Sequence, residues 1–413
     1  MVDQKRFSRQ YNRLKQWVRL QRMPALVKKH VYVDKKKLPE TDPGCEIAIK
    51  EGINWICKAQ DFSKSADGGV ARHYSLIDGW GSSYPETTGY IITTILHYYN
   101  ITSETDLRDR AGKMLDWLVR IQHPEGGFRG GTISEPSSGP VTFNTGQILM
   151  GLCAGVRIFG EPYLESMLKA ADWLSESQDP DGCWRKNPTP FAGPGEKSYE
   201  THVAWGLLEA EKIKSGKGYA ESALKNIRWA LKNAHSNGWV ENCCLTDPAQ
   251  PLTHTLGYYL RGIIEGYKFK KDEKILNSAV MTAKGLLSAL KENGFLPGRL
   301  NREWQGTVEW SCLTGTVQVA HCWMELYRIT GDTRFWEAAT VANSFVRRTM
   351  KIDDQNPGIH GGIKGSFPID GQYGTYQFLN WACKFFIDSN LLEKELREKM
   401  LNPDYCGNAE LIN

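Results

Sequence analysis

The sequence is poor in the features that mark out special classes of protein. It holds ten cysteines in 413 residues, and none forms a CxxC pair. A disulfide-stapled scaffold and a thiolate zinc ribbon both need more than that. Thiols scattered through apolar segments imply a reducing, cytoplasmic setting. No run approaches the ~18 consecutive apolar residues of a membrane-crossing helix. The basic N-terminus leads into no apolar core of about 7–15 residues, so no secretory signal is expected. Apolar alternation of period two is scarce, which leaves little room for sheet. Neither sign of charge dominates, since the formal net charge is only +4. With 41% apolar and 24% charged residues, the chain is neither disordered nor collagen-like.

What is present is uneven. Residues 1–37 hold twelve Lys/Arg and two acids, a net +10, so the remaining 376 residues carry −6. Phe7, Tyr11, Leu14 and Val18 recur at helical spacing among the arginines. A basic amphipathic helix of this kind can lie on an anionic membrane surface, or pack its apolar stripe on the body of the protein.

The body repeats. Trp55, Trp117, Trp173 and Trp229 are separated by 62, 56 and 56 residues, and the first three are followed five residues later by Gln60, Gln122 and Gln178. A glycine turn comes next, as in Asp67-Gly68-Gly69, Glu125-Gly126-Gly127 and Asp181-Gly182-Cys183, with weaker copies at Gly238, Gly294 and Gly361-Gly362. A long loop then leads to a threonine expected to open an apolar helix: Thr88, Thr145, Thr201, Thr255, Thr314 and Thr375. Each beat reads as an amphipathic helix followed by one that is apolar nearly all round, hence buried. Six such beats make an all-α, (α/α)6 toroid, a ring of six inner helices inside a ring of six outer ones. Repeats of this kind cannot bury their faces singly, so the array is one domain. The expected division is a basic N-terminal extension over 1–45, the toroid over 46–392 and a tail over 393–413.

Loops longer than about 12–15 residues in a compact domain are usually functional. The long loops here meet the N-termini of the inner helices, which places a site at that end of the central funnel. Residues flanking the repeat threonines should converge there. Glu86 and Glu200 are the acid and base expected of a glycoside hydrolase, which needs one protonated and one ionised carboxyl. His202 and His254, with Tyr199, suit removal of a proton beside a sugar carboxylate or carbonyl, the chemistry of a lyase or epimerase. Trp80, Tyr84, Trp304, Trp310 and Tyr373 supply aromatic faces for a sugar, and Asn144 a polar contact. Arg299 and Arg302 can hold a carboxylate. Asp78, Glu309 and Asp370 are reserve carboxylates on the loops. Basic residues are not clustered beside the aromatic rim, which argues against nucleic acid. Nothing in the sequence calls for a cofactor.

Lys169–Leu174, Gln178 and Gly182-Cys183-Trp184 resemble the QW repeat of squalene–hopene cyclases, and Lys113–Phe128 is a second copy. The toroid resembles N-acylglucosamine 2-epimerases, unsaturated glucuronyl hydrolases and toroid polysaccharide lyases. Tyr84–Tyr90, Cys312–Gly315 and Gly361–Pro368 look like signatures of bacterial polysaccharide-biosynthesis proteins of a prenyltransferase-like group. The resemblance spans about residues 46–392. It implies a carbohydrate-active enzyme of polysaccharide or glycan metabolism, cleaving or epimerising a sugar, and with the basic arm it suits a lipid-linked glycan. A terpenoid or prenyl cyclase on the same toroid is the alternative, but the Asp-x-Asp-Asp acid of class II cyclases is missing and Asp353-Asp354 is only a fragment of it. Zinc on this fold would need a set such as Glu309, Cys312 and His360, or Cys312, His321 and Cys322; buried structural cysteine is the plainer reading, and no metal is expected. A non-catalytic glycan-binding scaffold is the third reading.

Overall fold

The computed structural model describes residues 18, 20–136, 139–193 and 195–402. Its helices alternate in character, as the sequence pattern requires. In helix α4 (Thr105–Ile121) the buried residues Leu107, Ala111, Met114 and Leu118 step by four, three and four, so one stripe faces inward. In helix α5 (Thr142–Phe159) every residue from Thr142 to Gly155 is buried. The outer helices are α2 (Cys45–Asp61), α4, α6 (Leu164–Glu176), α8 (Tyr219–Lys232), α10 (Glu273–Ala289) and α12 (Thr333–Arg347). The inner helices are α3 (Pro85–Thr102), α5, α7 (Thr201–Ile213), α9 (Thr253–Lys270), α11 (Leu313–Thr330) and α13 (Asn380–Leu401). Each inner helix packs on the next, α3 on α5 and onward to α13, and α13 returns to α3. That contact closes the inner ring. The outer helix α2 packs on α13, so the first and last segments of the toroid form one outer–inner pair.

The repeated residues have repeated jobs. Gln60, Gln122 and Gln178 each donate Nε2 to two carbonyls, one in the glycine turn and one in the next outer helix: Gly68 and Arg110, Gly126 and Ser166, Gly182 and Ser222. Each clamp ties a turn carbonyl and a helix carbonyl to one side chain, worth about 1 kcal/mol per bond. The turn glycines Gly68, Gly126, Gly182, Gly238, Gly294 and Gly361 all have φ between +81° and +106°. A Cβ at Gly126 would strike the carbonyl of Lys169, and at Gly361 that of Glu51. Glycine is required here both for its backbone freedom and for the close approach.

The seam of the ring has its own polar lock. Arg347 Nε donates to Asp42 Oδ1 at 2.8 Å, and its Nη1 to Asn390 Oδ1 at 2.7 Å and Glu393 Oε2 at 2.8 Å. Strand β1 (His73–Ser75) pairs with β2 (Gly79–Trp80) and with β5 (Gln377–Leu379), tying the first long loop to the last. Strands β3 (Ser311–Cys312) and β4 (Ser366–Phe367) pair at the same end.

Three expectations change. Thr375 opens no helix; it lies in the loop before β5, and α13 starts at Asn380. Asn380 takes its place, donating to the Ala71 carbonyl and to Thr87 Oγ1. Helix α13 also runs past residue 392 to Leu401, with Leu396 buried, so part of the expected tail is core. The basic segment is not wholly separate from the body. Helix α1 (Ala25–Lys36) buries Val27, His30, Val31 and Asp34. Asp34 accepts from Lys364 Nζ at 2.5 Å and from the Ile369 amide at 2.9 Å. The stripe of Phe7, Tyr11 and Leu14 lies outside the described residues. No described helix is long and apolar enough to cross a membrane.

Candidate active site

A cavity of about 220 Å³ opens where the long loops meet the N-termini of the inner helices. That is below the ~300–1,000 Å³ common for drug-sized ligands and suits one small ring. Glu86 lies in the first turn of α3, after Pro85 has set the helix start. His254 lies in the first turn of α9. Helices α3 and α9 are three steps apart in a ring of six, so these groups come from opposite walls. Tyr199 precedes α7, and Trp381 begins α13. Arg72, Thr189, Phe191 and Tyr373 come from the loops.

The floor is aromatic and centred on Tyr258. Its ring lies 5.0 Å from Phe143, 4.6 Å from His202, 4.4 Å from His254 and 5.8 Å from Phe385. Tyr90 closes the layer against Phe385 at 5.3 Å. Each floor ring sits one helical turn below a group above it: Tyr90 below Glu86, Tyr258 below His254, Phe385 below Trp381. That spacing puts each pair on one helix face.

Burial raises the Glu86 carboxyl to about 7, although a hydrogen bond from Tyr84 and the charge of Arg72 both favour its ionised form. The Tyr84 hydroxyl donates to Glu86 Oε2 at 2.7 Å. Glu86 is the one acid lining this cavity among the described residues. Burial lowers His254 to about 4, opposed by its bond to Gln318, so the imidazole is neutral near pH 7. His254 Nδ1 lies 2.7 Å from Gln318 Oε1. With that oxygen as acceptor, Nδ1 carries the proton and Nε2 keeps its lone pair.

Arg72 is the cation of the site. Its guanidinium lies 5.8 Å from the Tyr84 ring, 5.8 Å from Phe191 and 5.1 Å from Trp381. Its Nη1 is 3.3 Å from His73 Nδ1, and its buried Nε has no partner among the described residues. An arginine held by ring faces, with no ion pair among the described residues, keeps its donors for an anion.

The structure brings Glu86, Tyr84, Tyr199, His254 and Tyr373 together and leaves the other expected residues elsewhere. Glu200 is fully buried beside Tyr199 but outside the cavity, with Oε2 unpartnered; burial pushes its carboxyl well above the usual range, with Lys197 opposing. Adjacent residues at a helix start diverge by roughly 100°, so Tyr199 and Glu200 cannot both face inward. His202 lies beneath the floor, with Nδ1 2.7 Å from Gln147 Oε1, and burial lowers its pKa well below the ordinary value. Trp80 packs on Trp55 and Tyr74 at 5.3 and 5.2 Å. Trp304 fills the outer layer against Trp239 and donates Nε1 to the Asn237 carbonyl. Trp310 is buried with Leu252 and Cys312 behind Tyr373. Asn144 is buried and donates to the Arg129 carbonyl. Arg299 donates to the Gln250 carbonyl and Arg302 to His235 Nδ1, so neither reaches the cavity. Of the reserve carboxylates, Asp370 pairs with Lys35. No three described His, Cys, Asp or Glu side chains converge as a metal site would require. Arg72, Tyr90, Phe191, Tyr258 and Trp381 are lining residues that the repeat did not single out, though the step of four from Glu86 and His254 was there to be read.

No protein-family model matches the chain, and no curated protein matches it. Solved structures do. An unsaturated glucuronyl hydrolase specific for heparin superposes with a TM-score of 0.69 at 14% identity, over 87% of this chain and 99% of its own. A D-mannose isomerase superposes with a TM-score of 0.69 at 11% identity, over 87% of this chain and 100% of its own. The chain is an (α/α)6 toroid. The unsaturated glucuronyl hydrolase of Bacillus sp. GL1, described as responsible for glycosaminoglycan degradation, gives 0.66 at 14% identity over 84% of this toroid and 96% of its own chain. At such identities the likeness carries the fold, and the chemistry must be argued from the toroid's own residues.

Proposed function

We propose that this toroid is a carbohydrate-processing enzyme that moves a proton on a carbon atom of a small acidic sugar, by epimerisation, isomerisation or elimination. The observation that carries this reading is the single carboxyl of the cavity, Glu86, raised to about 7 by burial. A carboxyl poised there exchanges a proton readily at neutral pH. Hydrolysis by two carboxyls needs a second acid about 5–9.5 Å away, and Glu200 is not in the cavity. Glu86 would take the proton beside a carbonyl or carboxylate. Arg72 would hold that oxygen anion and stabilise the charge that develops on it. The neutral His254, with its Nε2 lone pair, would accept a sugar hydroxyl from the opposite wall. Aromatic walls with a few polar groups suit a sugar ring, whereas Arg72, Glu86 and His254 weigh against an isoprenoid. The named activities of the structural neighbours, on glucuronyl groups and on mannose, support carbohydrate as the class.

The test is incubation of the full-length protein in D₂O with a panel of uronic acids and reducing sugars, followed by NMR. Deuterium should appear on carbon in one of them, or an alkene proton if the reaction is elimination, and Glu86→Gln should slow that change by about 10²-fold or more. Cleavage of a glycoside that leaves neither deuterium on carbon nor a new carbon–carbon double bond would overturn the proposal in favour of hydrolysis.

A further inference from the structure

Beneath the aromatic floor lies a second chamber of about 80 Å³, lined by all six inner helices. A single water needs about 10–15 Å³ of such volume, so this chamber has room for several waters or one small ion. Its charges are dense, and most are matched. Arg157 donates to Glu209 at 2.5 Å, Lys384 pairs with Asp388 at 2.5 Å, and Glu395 with Lys399 at 2.7 Å.

One corner carries more cations than carboxylates. The Arg261 guanidinium lies 4.5 Å from the Trp205 ring centroid. Its Nε approaches Glu265 Oε1 at 2.8 Å but is not aligned to donate, and it is buried without a hydrogen bond. His321 Nε2 is buried without a hydrogen bond, 3.7 Å from Glu325 Oε1. Arg328 comes no nearer to Glu325 than 4.0 Å, and Lys268 stands 3.7 Å from it and 3.1 Å from Glu265. Around the carboxylates of Glu265 and Glu325 there are thus three permanent cations, Arg261, Lys268 and Arg328. A buried guanidinium whose Nε makes no hydrogen bond among the described residues is costly, and an ion is one of the few things that repairs it.

We propose that this chamber binds a small tetrahedral oxyanion of phosphate size, held by Arg261, Arg328 and His321. Such an ion balances the excess cation and takes the donors that the protein leaves unused. Helix dipoles do not oppose it strongly. Arg261 and His321 each lie nine residues before the ends of α9 and α11, beyond the last turn to which the dipole's influence is confined; only Arg328, in the last turn of α11, stands where it opposes the ion. Glu325 opposes the ion, which gives the proposal a signed consequence. The chamber also touches the site above: Gln318 lines it and holds His254.

Calorimetric titration of the full-length protein with inorganic phosphate in chloride buffer tests this. Saturable binding at one site is expected. Arg261→Gln should weaken it by about 10–100-fold, the loss of a charge-assisted bond, and Glu325→Gln should tighten it. Arg72→Gln, which alters only the upper cavity, should leave it unchanged. If Arg261→Gln fails to fold, Arg328→Gln and the sign of the Glu325→Gln effect carry the test. No saturable phosphate binding, loss of binding in Arg72→Gln with Arg261→Gln unaffected, or acetate binding more tightly than phosphate would each overturn the proposal.

Discussion

Glu86 is expensive to keep where it is. Its carboxyl titrates near 7 in the folded chain against 4.5 for the free group. The folded state therefore holds the proton more tightly than the unfolded state. Its stability is intact below about pH 4.5 and declines as pH rises toward 7, by roughly 3 kcal/mol in all. Glu86→Gln removes the charge and keeps the shape. It should raise the melting temperature at pH 8 and leave it little changed at pH 4, while abolishing turnover. Equal effects at both pH values would show that Glu86 is not held proton-rich. At this scale the sequence was half legible. Residues beside the repeat threonines do line the cavity, and Glu86, His254, Tyr84, Tyr199 and Tyr373 were found that way. Glu200, His202, Asn144 and Trp310 sit at equally promising positions and face elsewhere, because a one-residue step turns a side chain to another face. Arg72 carried no local signal, since nothing in its neighbours' spacing places a loop arginine between three rings.

The repeating elements rest on two devices, the glycine turn and the glutamine clamp. Gly126 has φ +106°, and any Cβ there meets the Lys169 carbonyl. Gly126→Ala should cost about 1–3 kcal/mol for backbone alone, and more for the collision. Gly218, at φ +81° with open space around it, is the control; urea unfolding should find Gly218→Ala the milder change. The turns and their register were legible because they recur. Helix α1 was not, because it belongs to no repeat and its composition reads as a solvated arm. Asp34 corrects that reading. It satisfies Lys364 and the Ile369 amide, in the stretch that leads to Tyr373 at the cavity. Asp34→Ala leaves Lys364 buried and unpaired, a loss of about 3–5 kcal/mol. A midpoint in urea unchanged from wild type would mean that α1 is dispensable to the fold.

The whole molecule is a closed ring, and closure makes it one cooperative unit. Arg347 sits at the seam, joining Asp42 to Asn390 and Glu393. Arg347→Met takes one of two arginines from the buried Glu393, which keeps Arg397 and Asn343, and should lower stability by about 1.5–3 kcal/mol, with unfolding still a single transition by fluorescence and by circular dichroism. Two separated transitions would mean that the seam opens independently. Six-fold architecture was legible from periodicity alone, because each beat repeats the same packing problem. The division of the hole into two chambers was not, since it depends on rings from four helices meeting at Tyr258. That division leaves the upper cavity with one acid, and the account stands on its ionisation. The direct measurement is a ¹³C NMR titration of the side-chain carboxyls in the full-length protein, with Glu86→Gln to assign the resonance. A midpoint near pH 7 for Glu86 is the predicted result; a carboxylate already ionised at pH 5 would contradict it.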